Sequence, residues 1–313
     1  METLLEVKNL SKSYGNNLAV NNLSFDVYTG EILGLLGPNG AGKSTTITIL
    51  SGLLSYNSGE IYFLGKDVRK NSKQVKANLG IVPQDIAFYE EISAYQNVKF
   101  FASLYGLTGN TLEERVKEAL EFVGLEERKN EKPKTYSGGM KRRLNIACAI
   151  AHHPKLLILD EPTVGIDPQS RNRILDAIQT LRNQGTTVIY TTHYMEEIEQ
   201  IADRVVIMDK GQKIAEGTIE ELLEDYNNIN LYCITLEEPI EDFLYLYDIP
   251  GVRQITTDKV KKRIKIETDK KADNLNKILL KLLEKGNQIQ DMTTEKGNLE
   301  MVFLDLTGKK LRD

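Results

Sequence analysis

A long apolar run, a cysteine framework and a strong excess of one charge are all missing from this chain of 313 residues. No apolar stretch reaches the roughly 18 residues needed to cross a bilayer. The sequence therefore excludes a chain that is itself a channel, and any membrane role must run through a partner. Only two cysteines occur, Cys148 and Cys233, too few and too scattered for a disulfide scaffold, which fits a reducing compartment. The neighbours of Cys148 (Ile146-Ala147-Cys148-Ala149-Ile150) are small and apolar, so a buried core thiol is expected. The net charge of -5 exerts no global pull on nucleic acid or anionic lipid. No signal peptide is expected either, because Met1-Glu2-Thr3 is acidic and the next apolar stretch is broken by Glu6 and Lys8. What remains is ordinary globular composition, 41% apolar and 27% charged, in a chain long enough for one large domain and a small one.

Five short motifs stand in one order along the chain. The first, Gly37-Pro38-Asn39-Gly40-Ala41-Gly42-Lys43-Ser44, fits G-x-x-x-x-G-K-[ST] at every required position. It follows the continuous apolar run Ile32–Leu36, as expected of a strand buried on both faces, and precedes helix periodicity over Lys43–Leu53. Glycines let backbone N–H groups converge on phosphate oxygens, and the helix points its positive end at the same atoms. Lys43 then reaches the β- and γ-phosphates of ATP, the Ser44 hydroxyl ligates Mg²⁺, and Thr45 stands in position for an α-phosphate contact. Gln84 comes next, in Val82-Pro83-Gln84-Asp85, and then Ser137-Gly138-Gly139-Met140-Lys141. The fourth motif is Leu156-Leu157-Ile158-Leu159-Asp160-Glu161-Pro162. Asp160 ends a hydrophobic strand and can hold Mg²⁺ through water beside Ser44. If the strand continues one more step, Glu161 points the other way and can polarise water attacking the γ-phosphate. His193, in Thr191-Thr192-His193, ends the following strand and can bond the γ-phosphate while orienting Glu161 and water.

The remaining pattern is α/β. Residues 3–10 and 18–28 read as two short strands of an antiparallel β subdomain, and residues 93–128 as an inserted, charged helical subdomain. Parallel-strand rhythm then runs through strand 156–160, helix 168–184, strand 186–191 and helix 194–202, closed by strands 204–209 and 212–216 and helix 218–226. Composition shifts at Asp225–Asn230, a linker by its residues. Beyond it, strand 231–237, helix 239–247, strands 252–257 and 262–268, helix 271–285 and strand 288–293 make a βαββαβ order, followed by a mixed segment 298–306. That order predicts a small C-terminal ferredoxin-like α+β domain at 230–313, separate from an ATPase domain at 1–225. Its lysines alternate with acids and read as a solvated face. His152 and His153 are adjacent on a helix and do not face one another, so metal binding is not expected there.

Residues 3–217 resemble the nucleotide-binding subunits of ATP-binding-cassette (ABC) transporters. Several roles follow from that resemblance alone. Ser137, Gly138 and Gly139 form the family signature and act in trans, on the γ-phosphate of ATP held by an opposite subunit. Tyr14 stacks on adenine where it is not an ordinary aromatic, and Gln84 touches Mg²⁺ and the attacking water. Asp167 links the two active sites. Residues 84–105, with Phe88, Tyr89 and Tyr95, form a groove that receives a helix of a membrane permease. Met140 departs from the glutamine of many members. Together with Lys141-Arg142-Arg143-Leu144 and the ending Phe303-Leu304-Asp305-Leu306, it resembles the ABC-2 type branch of drug and antibiotic exporters. The implied machine is a peripheral ATPase on the cytoplasmic face of the membrane, using ATP and Mg²⁺. Its implied partners are a separate permease and a second nucleotide-binding subunit, identical or related, with no nucleic acid. The alternative is a soluble ABC ATPase not coupled to transport. One cassette and a short helical insert argue against ribosome-associated and DNA-repair members. Intact Lys43, Asp160, Glu161 and His193 argue against a regulatory module, and the missing Asn-Lys-x-Asp run against a GTPase.

Overall fold

In the computed structural model, residues 2–224, 229–295 and 297–308 are described. They fall into two compact units, residues 2–219 with 307–308 and the described residues of 220–306, so the division lies ahead of the expected 225–230. Of that expected linker, residues 225–228 lie outside the described residues, while Ile229 and Asn230 already belong to a strand. Among the described residues no helix is long and apolar enough to cross a membrane.

The first unit is built on two sheets. In the antiparallel one, β1 (Thr3–Tyr14) lies between β2 (Asn17–Tyr28) and β4 (Ser58–Phe63), with the short β5 (Lys66–Asp67) at the edge. The first two strands run well past the short segments expected from alternation. Ladders on both sides of β1 hold even its polar end, across irregularities of register near Asn9. The central sheet has the order β10-β9-β3-β8-β7-β6, formed by β3 (Ile32–Leu36), β6 (Leu79–Val82), β7 (Leu156–Asp160), β8 (Thr187–Thr191), β9 (Arg204–Asp209) and β10 (Gln212–Gly217). Five of these strands pair in parallel and β10 is antiparallel to β9. All five residues of β3 are buried, because it sits inside the sheet with layers on both faces. One core joins the two sheets: Val7, Leu10, Leu23 and Phe25 pack with Leu33, Leu35, Ile158 and Ile189.

Helix α1 (Lys43–Leu50) follows β3, and α2 (Ser72–Ala77) precedes β6. Three helices then interrupt the α/β alternation: α3 (Ala94–Leu104), α4 (Gly109–Phe122) and α5 (Gly138–Ile150) pack on one another. Ser93 starts α3 with a capping box. Its hydroxyl accepts from Gln96 N, and Gln96 Oε1 accepts from Ser93 N. The α/β rhythm resumes with α6 (Pro168–Asn183), α7 (Met195–Ile201) and the short α8 (Ile219–Leu222).

The second unit holds β11 (Ile229–Leu236), β12 (Val252–Asp258), β13 (Arg263–Asp269) and β14 (Ile289–Glu295) in the order β12-β13-β11-β14, all antiparallel. Helix α9 (Leu275–Glu284) covers one face through Ile278 and Leu282, which pack on Tyr232, Ile234, Ile264 and Ile266. The segment 298–306 is helical, α10 (Leu299–Thr307). The expected helix 239–247 is only a 3₁₀ turn at Leu244–Asp248. Asp242 Oδ1 accepts from Leu244 N and starts a turn instead of a helix, and Ile249 is extended because it precedes Pro250. The expected helix 271–285 likewise begins only at Leu275, after Asp273 takes a left-handed conformation.

Cys148 is a buried thiol, pushed far up by burial. Among the described residues no metal-binding group of His, Cys, Asp and Glu exists, and His152 has a structural explanation. Its ring stacks on Tyr105 with centroids 3.5 Å apart, and its Nε2 meets Leu79 O at 3.2 Å. Burial pushes its pKa down from 6.5 to about 4. Between those values the unfolded chain binds a proton that the folded chain does not. Stability is therefore expected to fall as pH drops from 6.5 toward 4. His152→Phe keeps the stacked ring and should remove about 2–3 kcal/mol of that pH dependence in chemical denaturation. An unchanged slope would refute the assignment.

Candidate active site

The phosphate loop lies between β3 and α1 and forms one wall of a cleft of about 600 Å³. Tyr14, Asn39, Gly40, Ala41, Gly42, Lys43, Ser44, Thr45, Gln84, Glu161 and His193 all line it, with Asn17, Leu18, Ala19 and Lys210. Tyr14, at the end of β1, is 51% exposed, so its ring is available at the mouth. Lys43 is buried, and its Nζ donates to Gly37 O at 2.6 Å and Pro38 O at 3.2 Å. Burial lowers its pKa, opposed by the charges of Glu161 and Asp160.

Asp160 and Glu161 are set by the end of β7. Asp160 pairs with Thr191 across the parallel ladder, and Thr191 Oγ1 donates to Asp160 Oδ1 at 2.7 Å. Burial raises the Asp160 pKa, and the Thr191 bond works against that rise. The strand ends at Asp160, so the condition of one more extended step at Glu161 is not met. Glu161 has φ 48°, a left-handed conformation that costs about 1 kcal/mol for a non-glycine residue. That turn is held by Glu161 N, which donates to Thr191 Oγ1 at 3.0 Å and Thr191 O at 3.1 Å. It aims the carboxylate at His193, whose Nε2 pairs with Glu161 Oε1. This hydrogen bond lowers the Glu161 pKa, more than burial raises it. A carboxylate held ionised beside an imidazole can accept a proton from water.

Ser137, Gly138 and Gly139 stand apart from this set and are not in the lining of the cleft of their own chain. Ser137 caps α5, its Oγ accepting from Met140 N at 3.3 Å. Gly139 sits so close to α6 that a Cβ there would lie 2.3 Å from Ser170 Oγ. Asp167 caps α6 through Ser170 N at 2.9 Å, and that bond lowers its carboxyl pKa. Pro38 belongs to the loop but enters the site only through its carbonyl, which accepts from Lys43.

Two positioning groups escaped the motif reading. Thr191 orients both acids, and its signal is its place opposite Asp160 in the next strand. Arg142 is buried and donates to Pro83 O and Gln84 O, both at 2.7 Å, while Asn145 Oδ1 accepts from Ala87 N at 3.2 Å. The signature helix thereby grips the loop that carries Gln84. Within Lys141-Arg142-Arg143 the distinguishing signal is helical spacing: 142, 145, 146 and 149 share the inward face of α5.

A family model described as "ABC transporter" matches residues 20–164. The chain is 42% identical to the linearmycin resistance ATP-binding protein LnrL of Bacillus subtilis (strain 168), over 99% of this chain and all of that protein. It is 34% identical to the daunorubicin resistance ATP-binding protein DrrA3 of Streptomyces coeruleorubidus, over 99% of this chain and 98% of that one. Among solved structures, a dimeric post-hydrolysis state of the ATP-binding cassette MJ0796 bound to ADP and Pi superposes with TM-score 0.62 at 26% identity, covering 68% of this chain and 98% of that one. With a phosphate loop, Gln84, Glu161 and His193 lining one cleft, and Asp160 beside Glu161 at the end of β7 but outside that lining, the chain belongs to the ABC transporter family as an ATP-binding, ATP-hydrolysing subunit.

Proposed function

We propose that this ATPase powers a separate membrane permease that exports an antibiotic, drug or other small compound. It works from the cytoplasmic face of the membrane, held there by the permease. The names of the two resistance relatives support the class of cargo. One observation carries the mechanism: Lys43, Ser44, Gln84, Glu161 and His193 share one cleft, and Ser137–Gly139 line none of it. Backbone N–H groups at the start of α5 are anion donors that a second copy, or a related chain, brings to the γ-phosphate. Asp167, capping α6 against Gly139, links the two sites.

Within each site Tyr14 stacks on adenine, and residues 37–45 bind the phosphates. The Ser44 hydroxyl, the Gln84 amide oxygen and the Asp160 carboxylate are hard oxygen donors, and that donor set fits Mg²⁺, with Asp160 acting through water. When bound, Mg²⁺ would neutralise charge on the β- and γ-phosphates. Glu161 takes the proton from the attacking water, and His193 orients Glu161 and the γ-phosphate. Residues 84–105 receive the permease. Ile86, Tyr89, Phe100 and Leu104 are exposed there, Tyr89 at 55%, and Phe88 and Tyr95 are half-buried. An exposed apolar patch of this kind fits a partner helix. The second unit is accessory, for dimerisation or regulation.

The test is oligomeric state by light scattering. With Mg·ATP, the Glu161→Gln chain is expected to double its mass, and Ser137→Arg in the same chain is expected to abolish the dimer. A Glu161→Gln chain that binds ATP and stays monomeric would refute the trans clamp.

A further inference from the structure

Glu197, on α7, is 2% exposed and far from any expected surface role for a charge. A buried carboxylate persists only where hydrogen bonds replace its water. Here a single oxygen, Oε2, accepts three hydroxyls: Thr192 Oγ1 at 2.7 Å, Tyr190 Oη at 2.8 Å and Thr163 Oγ1 at 2.9 Å. All three donors are fully buried. Their positions in the chain give the cluster its meaning. Thr163 lies two residues after Glu161, on the loop that runs to Asp167. Thr192 immediately precedes His193. Tyr190 anchors the cluster to β8. Arg171 of α6 approaches Oε1 at 3.5 Å and covers the ring of Tyr194 at 4.5 Å. Glu197 therefore ties the loop bearing Glu161 to the loop bearing His193, at a point where neither of those side chains reaches it.

We infer that Glu197 is a positioning residue for ATP hydrolysis, setting the register between Glu161 and His193 through Thr163 and Thr192. This inference rests on the reading of Glu161 and His193 as the hydrolytic pair. A carboxylate suits the task because it accepts only, so all three hydroxyls must turn toward it. An amide can keep an oxygen at the Oε2 position, but it has no charge to strengthen the three hydroxyl bonds and it turns its NH2 toward the Arg171 guanidinium, where two donors face each other. The carboxylate does not line the nucleotide cleft, so its loss should act on the chemical step and not on ATP binding.

The experiment measures steady-state ATPase activity, fluorescent-nucleotide affinity and melting temperature for Glu197→Gln, for Thr163→Val with Thr192→Val, and for the three substitutions combined. Glu197→Gln is expected to lower kcat by roughly 10–100-fold, with KM and nucleotide affinity within about twofold. The paired threonine variant should fall by a similar factor, and adding Glu197→Gln to it should cost little more, because all act through one junction. A packing role would lower melting temperature and the nucleotide-binding fraction in proportion to activity, and the losses would multiply. Either that pattern or an unchanged kcat would overturn the inference. His193→Ala and Glu161→Gln are measured alongside. If those two leave kcat intact, the pair itself is wrong and the inference falls with it; if they abolish turnover while Glu197→Gln does not, only the inference fails.

Discussion

Glu161→Gln is expected to lower ATP turnover by ~10²–10⁴-fold while leaving ATP affinity within about twofold. Glutamine keeps the volume and the approach to His193 but cannot take a proton. The size of the loss follows from how the group is prepared. The His193 hydrogen bond holds the Glu161 carboxyl below its ordinary value of 4.5, against the burial that would raise it. It is therefore ionised through the neutral range, and its stabilising contribution, present above 4.5, is lost only as pH falls through the lowered value. The acid limb of kcat should accordingly lie below 4.5. His193→Ala removes the bond that lowers the pKa, so the acid limb should move upward while the base itself survives. A single-turnover assay across pH separates the two variants. Turnover of Glu161→Gln within threefold of the parent would remove Glu161 from the role of base.

The parts of this site that the sequence displayed are those whose chemistry needs a local run of residues. A phosphate loop must present consecutive backbone N–H groups, so Gly37–Thr45 is written as one word. Asp160 and His193 are legible as candidates because each stands at the end of an apolar strand, and parallel strands end on one edge of the sheet. What stayed hidden is the scaffolding between distant segments. Arg142 reaches carbonyls 58 and 59 positions earlier in the chain, and no local pattern records that pairing. Thr191 and Glu197 read as an ordinary strand threonine and a helix-surface acid until β7, β8 and α7 are assembled. The turn at Glu161 has no local signal for a related reason. Its left-handed backbone is imposed by Thr191, a neighbour in space. In the second unit, the strands expected at 252–257 and 262–268 lie at Val252–Asp258 and Arg263–Asp269, whereas the helix expected at 239–247 is overruled by Asp242 and Pro250.

Gly42→Ala is expected to cost more than any other single methyl in the phosphate loop, lowering ATP affinity by ~10²-fold or more and lowering the melting temperature. Gly42 precedes the first residue of α1 with φ 99°, beyond the region that alanine tolerates. An added Cβ would also lie 2.4 Å from Ala19 O, a backbone atom of β2 that no rotamer change can move. Relief requires the loop to part from β2 or the start of α1 to shift, and Lys43 and Ser44 ride on that start. Gly40 supplies the control. It has φ 80° but nothing within 4 Å of an added Cβ, so Gly40→Ala bears conformational strain alone, about 1–2 kcal/mol. Fluorescent-nucleotide titration and thermal melting of both variants decide between the two contributions. If Gly42→Ala falls well below Gly40→Ala in affinity, the packing of the loop on Ala19 holds the phosphate cradle in shape. If the two fall equally, backbone conformation alone sets the cradle and the close approach to β2 has no part in binding.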